Sequence, residues 1–198
     1  MTDSTHDRHP LQRQVVLAAL AFAIFFSCGM LLHEGGHWIA AQFFGWDTHL
    51  SYSHTSFTAT DLTTKSYCVF RAAGPLVDVA FVATGLLYLF WTRNSDEKRT
   101  LRPAFWFASA FVFSAMRWLK APFQEVADES VISDLLGMPW QVVPWILFLP
   151  TCVVFAFLVR THYRERTLVP LGIGFGAGML GFLNWYFLVG PQLLPKLT

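Results

Sequence analysis

The feature that most constrains this chain is an apolar run from about Val15 to Phe44, interrupted only by a short polar cluster, His33-Glu34-Gly35-Gly36-His37. A run of that length can cross a bilayer as a helix, which needs about 20 residues, and it is too long for a signal peptide. Within such a helix His33 and His37 stand at i and i+4, one turn apart on the same face. Two imidazoles so placed can reach one metal ion, with Glu34 beside the metal to take a proton from water. Polar groups in an apolar helix are functional by default; the plainer reading is a satisfied polar cluster that packs helices together.

Four further stretches are long and apolar enough to span: about Val69–Trp91, Pro103–Leu119, Val142–Val159 and Leu168–Val189. Hydrophobic residues make up 54% of the 198-residue chain and charged ones 14%, against about 25% in a soluble domain. The expected fold is therefore an all-α polytopic membrane protein, a single domain over residues 1–198 with about five transmembrane helices. The net charge of +1 and the lack of a basic patch interleaved with aromatics argue against a nucleic-acid partner. The partner that composition does imply is the lipid bilayer. Cys28, Cys68 and Cys152 form no C-x-x-C pair and read as buried thiols.

Three segments break the apolar pattern. Residues 1–14 form a polar N-terminal tail. Residues 45–67 are rich in Thr and Ser, and Leu50, Tyr52 and His54 alternate with Ser51, Ser53 and Thr55, which predicts a small β-hairpin at the membrane surface. Residues 121–140 lie between Pro122 and Pro139; Val131/Leu135 and Ile132/Leu136 recur at helical spacing, and Gly137 stands where a C-terminal cap belongs. This predicts a short re-entrant or interfacial helix.

Alternating crossings put nine Lys and Arg residues on the N-terminal face and five on the other: Lys65, Arg71, Arg117, Lys120 and Lys196. The positive-inside rule then gives a cytoplasmic N-terminus. Arg117 and Lys120 are expected to snorkel to the interface. The fifth stretch carries Gly172, Gly174, Gly176, Gly178 and Gly181, two overlapping G-x-x-x-G spacings suited to packing within the chain or to a homo-oligomer. Asn184 in the same stretch is expected to hydrogen-bond inward.

A catalytic metal site needs a third protein ligand and an open position. His33 lies about 27 Å along its helix at 1.5 Å per residue, near the face opposite the N-terminus. Carboxylates near that face are Asp47, Asp61, Asp78, Glu125, Asp128, Glu129 and Asp134; Asp47 and Asp61, with His49 and His54, belong to the polar hairpin and read as solvated.

His33-Glu34-Gly35-Gly36-His37 followed by Trp38-Ile39-Ala40-Ala41 resembles the H-E-x-G-H motif of the site-2 protease family of intramembrane zinc metalloproteases. Ala72-Ala73-Gly74-Pro75-Leu76-Val77-Asp78 resembles that family's A-G-P-L-x-N signature, with Asp78 in place of Asn. Asp128 through Pro139 resembles a segment of compact members in which an Asp precedes a helix ending in a G-I-P-like turn. The usual L-D-G motif is absent. The resemblance implies Zn²⁺ held by His33, His37 and Asp128, with Glu34 as the catalytic base. It also implies a transmembrane protein substrate cut in or near its membrane segment, and a multi-pass protein of a bacterial-type cell membrane. Asp128 also suits a helix N-cap, and Asp134 and Asp78 are alternative ligands. The family places its zinc nearer the cytosolic side, opposite to the side the charge count gives. Two other classes fit parts of the pattern: a non-catalytic zinc-binding protein that regulates a partner, and a transporter, although no repeated halves are present.

Overall fold

The structure is a computed structural model that describes residues 8–92, 113–118, 120–163 and 168–194. Helix α1 (Arg8–Phe43) leads into a two-stranded antiparallel sheet, β1 (Asp47–Leu50) with β2 (Thr55–Thr58), and then helix α2 (Thr64–Thr92). A helical segment α3 (113–118) runs into a 3₁₀ turn (Ala121–Phe123) and the short helix α4 (Asp128–Leu135). Helices α5 (Val142–Tyr163) and α6 (Leu168–Asn184) follow; a π-helical turn (Trp185–Val189) then joins α6 to α7 (Gly190–Leu193).

Among the described residues three helical spans are long and apolar enough to cross a membrane: Val15–Phe43, Thr64–Thr84 and Gly172–Leu193. They correspond to the first, second and fifth expected crossings. The third expected crossing falls largely outside the described residues. The fourth is helical as α5, with Pro150 inside it.

Helix α1 is the centre of the bundle, with α6 packed along it on one side and α2 on another. Two aromatic clusters lock it in place. Phe22 and Phe26 of α1 meet Phe113 of α3, with Met30, Met179 and Phe182 around them. Further along, Ala41 packs with Trp46 and Phe70, covered by Phe44, Phe57 and Tyr67. His33 and His37 lie between the two.

Local chemistry sets the element ends. Gly45 (φ 72°) closes α1: its N–H reaches the Gln42 carbonyl at 3.0 Å and the Trp46 N–H reaches Ala41 at 3.0 Å. This Schellman turn needs a residue with positive φ. The same arrangement ends α4, with Gly137 at φ 72° and the Met138 N–H on the Ser133 carbonyl at 2.9 Å, as the expected cap requires. Thr63 and Ser66 cap α2 reciprocally, each backbone N–H bonding the other's hydroxyl at 3.1 Å.

The hairpin is present, but its turn falls at Ser51–His54, inside the stretch whose alternation suggested a strand. Ser51 explains the turn. Its fully buried hydroxyl donates to the His54 carbonyl at 2.7 Å and accepts from the His54 N–H at 3.2 Å, an arrangement that competes with strand pairing. The hairpin is tied down on two sides. Thr55 Oγ1 donates to the Glu34 carbonyl at 2.8 Å, and Trp185 Nε1 donates to the Tyr52 carbonyl at 3.2 Å.

Three expectations change. Cys28 and Cys152 are exposed and Cys68 is half-buried, so none of the three is a buried thiol. Asn184 is also exposed and does not point inward. In α6, Gly174 and Gly178 are buried while Gly172 and Gly176 face open space, so only one of the overlapping glycine pairs packs inside the chain. A Cβ on Gly178 would lie 2.9 Å from Phe26 and 3.1 Å from Phe22. Gly178→Val should therefore push α6 off α1 and cost about 1–3 kcal/mol of stability, read by thermal unfolding in detergent, with Gly172→Val as the unaffected control.

Candidate metal centre

The site begins with a close helix approach. A Cβ on Gly36 of α1 would fall 2.7 Å from the Ala73 carbonyl oxygen of α2, so the two backbones touch where the first motif meets the second. A Cβ on Gly74 would lie within 2.5 Å of Nε2 and Cε1 of His33 and would collide with Nε2 of His37. The two glycines thus clear a pocket for the two imidazoles. Pro75 lacks the N–H that would bond the Arg71 carbonyl and loosens this turn of α2. In the same turn, the Phe70 carbonyl accepts a hydrogen bond from His37 Nδ1 at 2.7 Å.

Helix α4 brings the third group. Asp128 is its first residue, the N-cap position is Ala127, and no side chain caps the helix, so the alternative capping role for Asp128 is not the one it plays. Its carboxylate instead turns to the histidines, with Oδ2 lying 3.3 Å from His33 Nε2 and 3.2 Å from His37 Nε2. The two Nε2 atoms are themselves 3.2 Å apart. His33, His37 and Asp128 form a group able to hold a metal ion. The other expected candidates lie elsewhere: Asp134 is exposed on α4, and Asp78 stands behind His33 rather than in the group.

The outer partners of the rings decide which atoms face inward. His37 Nδ1 must donate to the Phe70 carbonyl, which has no proton to give, and His33 Nδ1 donates to Asp78 Oδ2 at 3.0 Å. In the neutral rings each Nε2 then presents a lone pair. Two lone pairs and a carboxylate oxygen converge with no proton between them, an arrangement that a cation at their centre stabilises. The spacing agrees: donors about 2.0–2.1 Å from a tetrahedral ion are about 3.3–3.4 Å from one another. The observed triangle has edges of 3.2, 3.2 and 3.3 Å.

A cavity of about 350 Å³ opens beside the triangle. Glu34, His37 and Asp128 line it, as do His54 and Thr55 of the hairpin. Glu34 is therefore on the open side of the group, as its place between the histidines predicts. His54 is exposed, as expected, yet forms part of the wall, with Nδ1 held by Ser51 Oγ at 2.9 Å.

Two arginines at the site were not foreseen there, and Glu129, one of the carboxylates expected near that face, joins them. Arg117 does not snorkel outward: its Nη2 lies 3.4 Å from Asp128 Oδ2 and its Nε 3.3 Å from Asp78 Oδ2. Arg71 donates from Nη1 to Asp128 Oδ1 at 2.8 Å. Glu129 is buried along the same cavity, and its Oε1 has no hydrogen-bond partner among the described residues. The usable signal was charge within apolar stretches, since an arginine there needs a buried partner. Glu129 is pushed up by burial, with Arg117 only partly opposing the rise.

The chain matches no protein-family model, no curated protein and no solved structure.

Gly74→Ala should displace both imidazoles and abolish bound metal, measured by mass spectrometry of purified protein, while Gly172→Ala leaves it unchanged. Asp78→Asn removes the charge behind His33 and should raise the metal dissociation constant about 10-fold, read by competition with a chelating dye.

Proposed function

We propose that this protein is an intramembrane zinc metalloprotease, a compact member of the site-2 protease kind, that hydrolyses a peptide bond in or near a transmembrane segment of a membrane protein. The observation that carries the proposal is the convergence of His33 Nε2, His37 Nε2 and Asp128 Oδ2 at tetrahedral spacing beside a cavity that Glu34 also lines. Two imidazole nitrogens and one carboxylate oxygen with an open side are the donor set of hydrolytic zinc sites, and zinc is the metal assigned here. The apolar spans support a multi-pass protein, read with five crossings.

Bound there, zinc supplies Lewis acidity that polarises a scissile carbonyl and acidifies water. The residues of the chain do the rest. His33 and His37 are held in their Nδ1–H tautomers by Asp78 and the Phe70 carbonyl, so that both Nε2 atoms stay free to ligate. Glu34 takes a proton from the attacking water and delivers it to the leaving amine, so that water adds across the broken C–N bond.

The substrate arrives extended. β1 covers one edge of β2, and Thr55, the first residue of β2, lines the cavity. An unwound substrate segment can add as a third strand along β2, its backbone satisfied by N–H and C=O groups that β1 leaves unpaired among the described residues. The two ties of the hairpin to α1 and to the π-helical turn hold that strand at a fixed height above the cavity.

The test measures bound zinc and cleavage of single-span reporter proteins in detergent or liposomes. Glu34→Gln should keep zinc and lose cleavage by about 10²–10⁴-fold, the usual contribution of a general base. Asp128→Ala should lose zinc and activity together. Wild-type protein that takes up no zinc would sink the proposal, and so would a Glu34→Gln protein that still cleaves at the wild-type rate.

A further inference from the structure

Of the three ligands only Asp128 has a choice of binding mode, because a carboxylate can bind through one oxygen or both. Chelation by both would add a fifth donor and take up space that the open coordination position needs. The structure gives each oxygen a separate task. Oδ2 faces the two histidines at 3.2 and 3.3 Å, whereas Oδ1 accepts the shortest polar contact that the carboxylate makes, from Arg71 Nη1 at 2.8 Å.

Arg71 is itself held. Its Nε donates to Tyr67 Oη at 2.9 Å, one turn back on α2, and its guanidinium lies 5.2 Å from the centre of that ring. Arg117 comes from α3, on another side. It contacts Oδ2 through Nη2 and reaches through Nε to Asp78 Oδ2, the atom that accepts from His33 Nδ1. A continuous line of contacts thus runs from Tyr67 through Arg71, Asp128, Arg117 and Asp78 to His33. Two guanidinium charges balance two carboxylates, so the ligand set presents no excess negative charge to an arriving cation.

We propose that Arg71 and Arg117 are positioning residues that restrict Asp128 to one-oxygen coordination. Arg71 does so by occupying Oδ1, and Arg117 by fixing the carboxylate plane from Asp78. The inference rests on the metal-site reading above and adds how the open coordination position is kept open. The two cations also leave the charge of a bound divalent ion largely unquenched, which favours its action as a Lewis acid.

The test is cobalt substitution, because the visible bands of high-spin Co²⁺ are intense in four-coordinate sites and weak in five-coordinate ones. Wild-type protein loaded with Co²⁺ should show the intense four-coordinate spectrum. Arg71→Met should still bind Co²⁺, but its bands should weaken roughly twofold or more as Oδ1 swings onto the metal. Arg117→Met should change in the same direction, and Arg71→Lys, which still offers a donor to Oδ1, should keep the wild-type spectrum. If Arg71→Met fails to fold, Tyr67→Phe decides: it removes only the hydrogen bond that steadies Arg71, and weakened bands are expected. A five-coordinate wild-type spectrum overturns the proposal, as do unchanged bands in Arg71→Met, or in Tyr67→Phe when that variant must decide. These outcomes leave the protease reading standing, whereas a wild-type protein that binds neither cobalt nor zinc removes both.

Discussion

The close approach of α1 and α2 at Gly36, Ala73 and Gly74 is the constraint on which the site depends. At this contact Gly36 and Gly74 carry no side chain, and the space next to Gly74 is taken by the rings of His33 and His37. A helix pair in lipid would have little hydrophobic drive to associate, and close packing of small residues would supply it. The same contact aligns the acceptors behind the rings, because Phe70 and Asp78 stand about one turn to either side of Gly74 on α2. Helix packing and imidazole tautomer are thereby set by one stretch of chain.

Around that contact the interior is more highly charged than its apolar surroundings suggest. Asp78, Asp128, Arg71 and Arg117 form alternating pairs inside the bundle. Breaking such a set by removing one member leaves an uncompensated buried charge, which is strongly destabilising. The arrangement ties α2, α3 and α4 to His33 and His37 of α1.

Much of this was legible in the residues. The apolar runs located the first two helices and the last, because a helix in lipid must satisfy its backbone internally over about 20 residues. The i, i+4 spacing of His33 and His37 fixed their common face, and Gly137 marked the end of α4 through its positive φ. Other features misled. The alternation around Ser51 looked like strand but became a turn, because a local hydroxyl–backbone bond competes with pairing. The choice among Asp128, Asp134 and Asp78 could not be made from spacing, since it depends on where α4 docks.

The sequence by itself determined a helical, membrane-compatible chain with two histidines and a glutamate on one apolar helix, since short-range periodicity and hydropathy are enough for that. Only the tertiary structure decided that Asp128 completes the triangle 91 and 95 residues away from His37 and His33, that Asp78 stands behind it, and that Arg71 and Arg117 point inward. The physical reason is that these are long-range pairings between groups on separate helices. Asp78, Asp128, Arg71 and Arg117 each go where a partner offsets the penalty of burial, and the partner's position is a property of the packed bundle rather than of its neighbours in the chain.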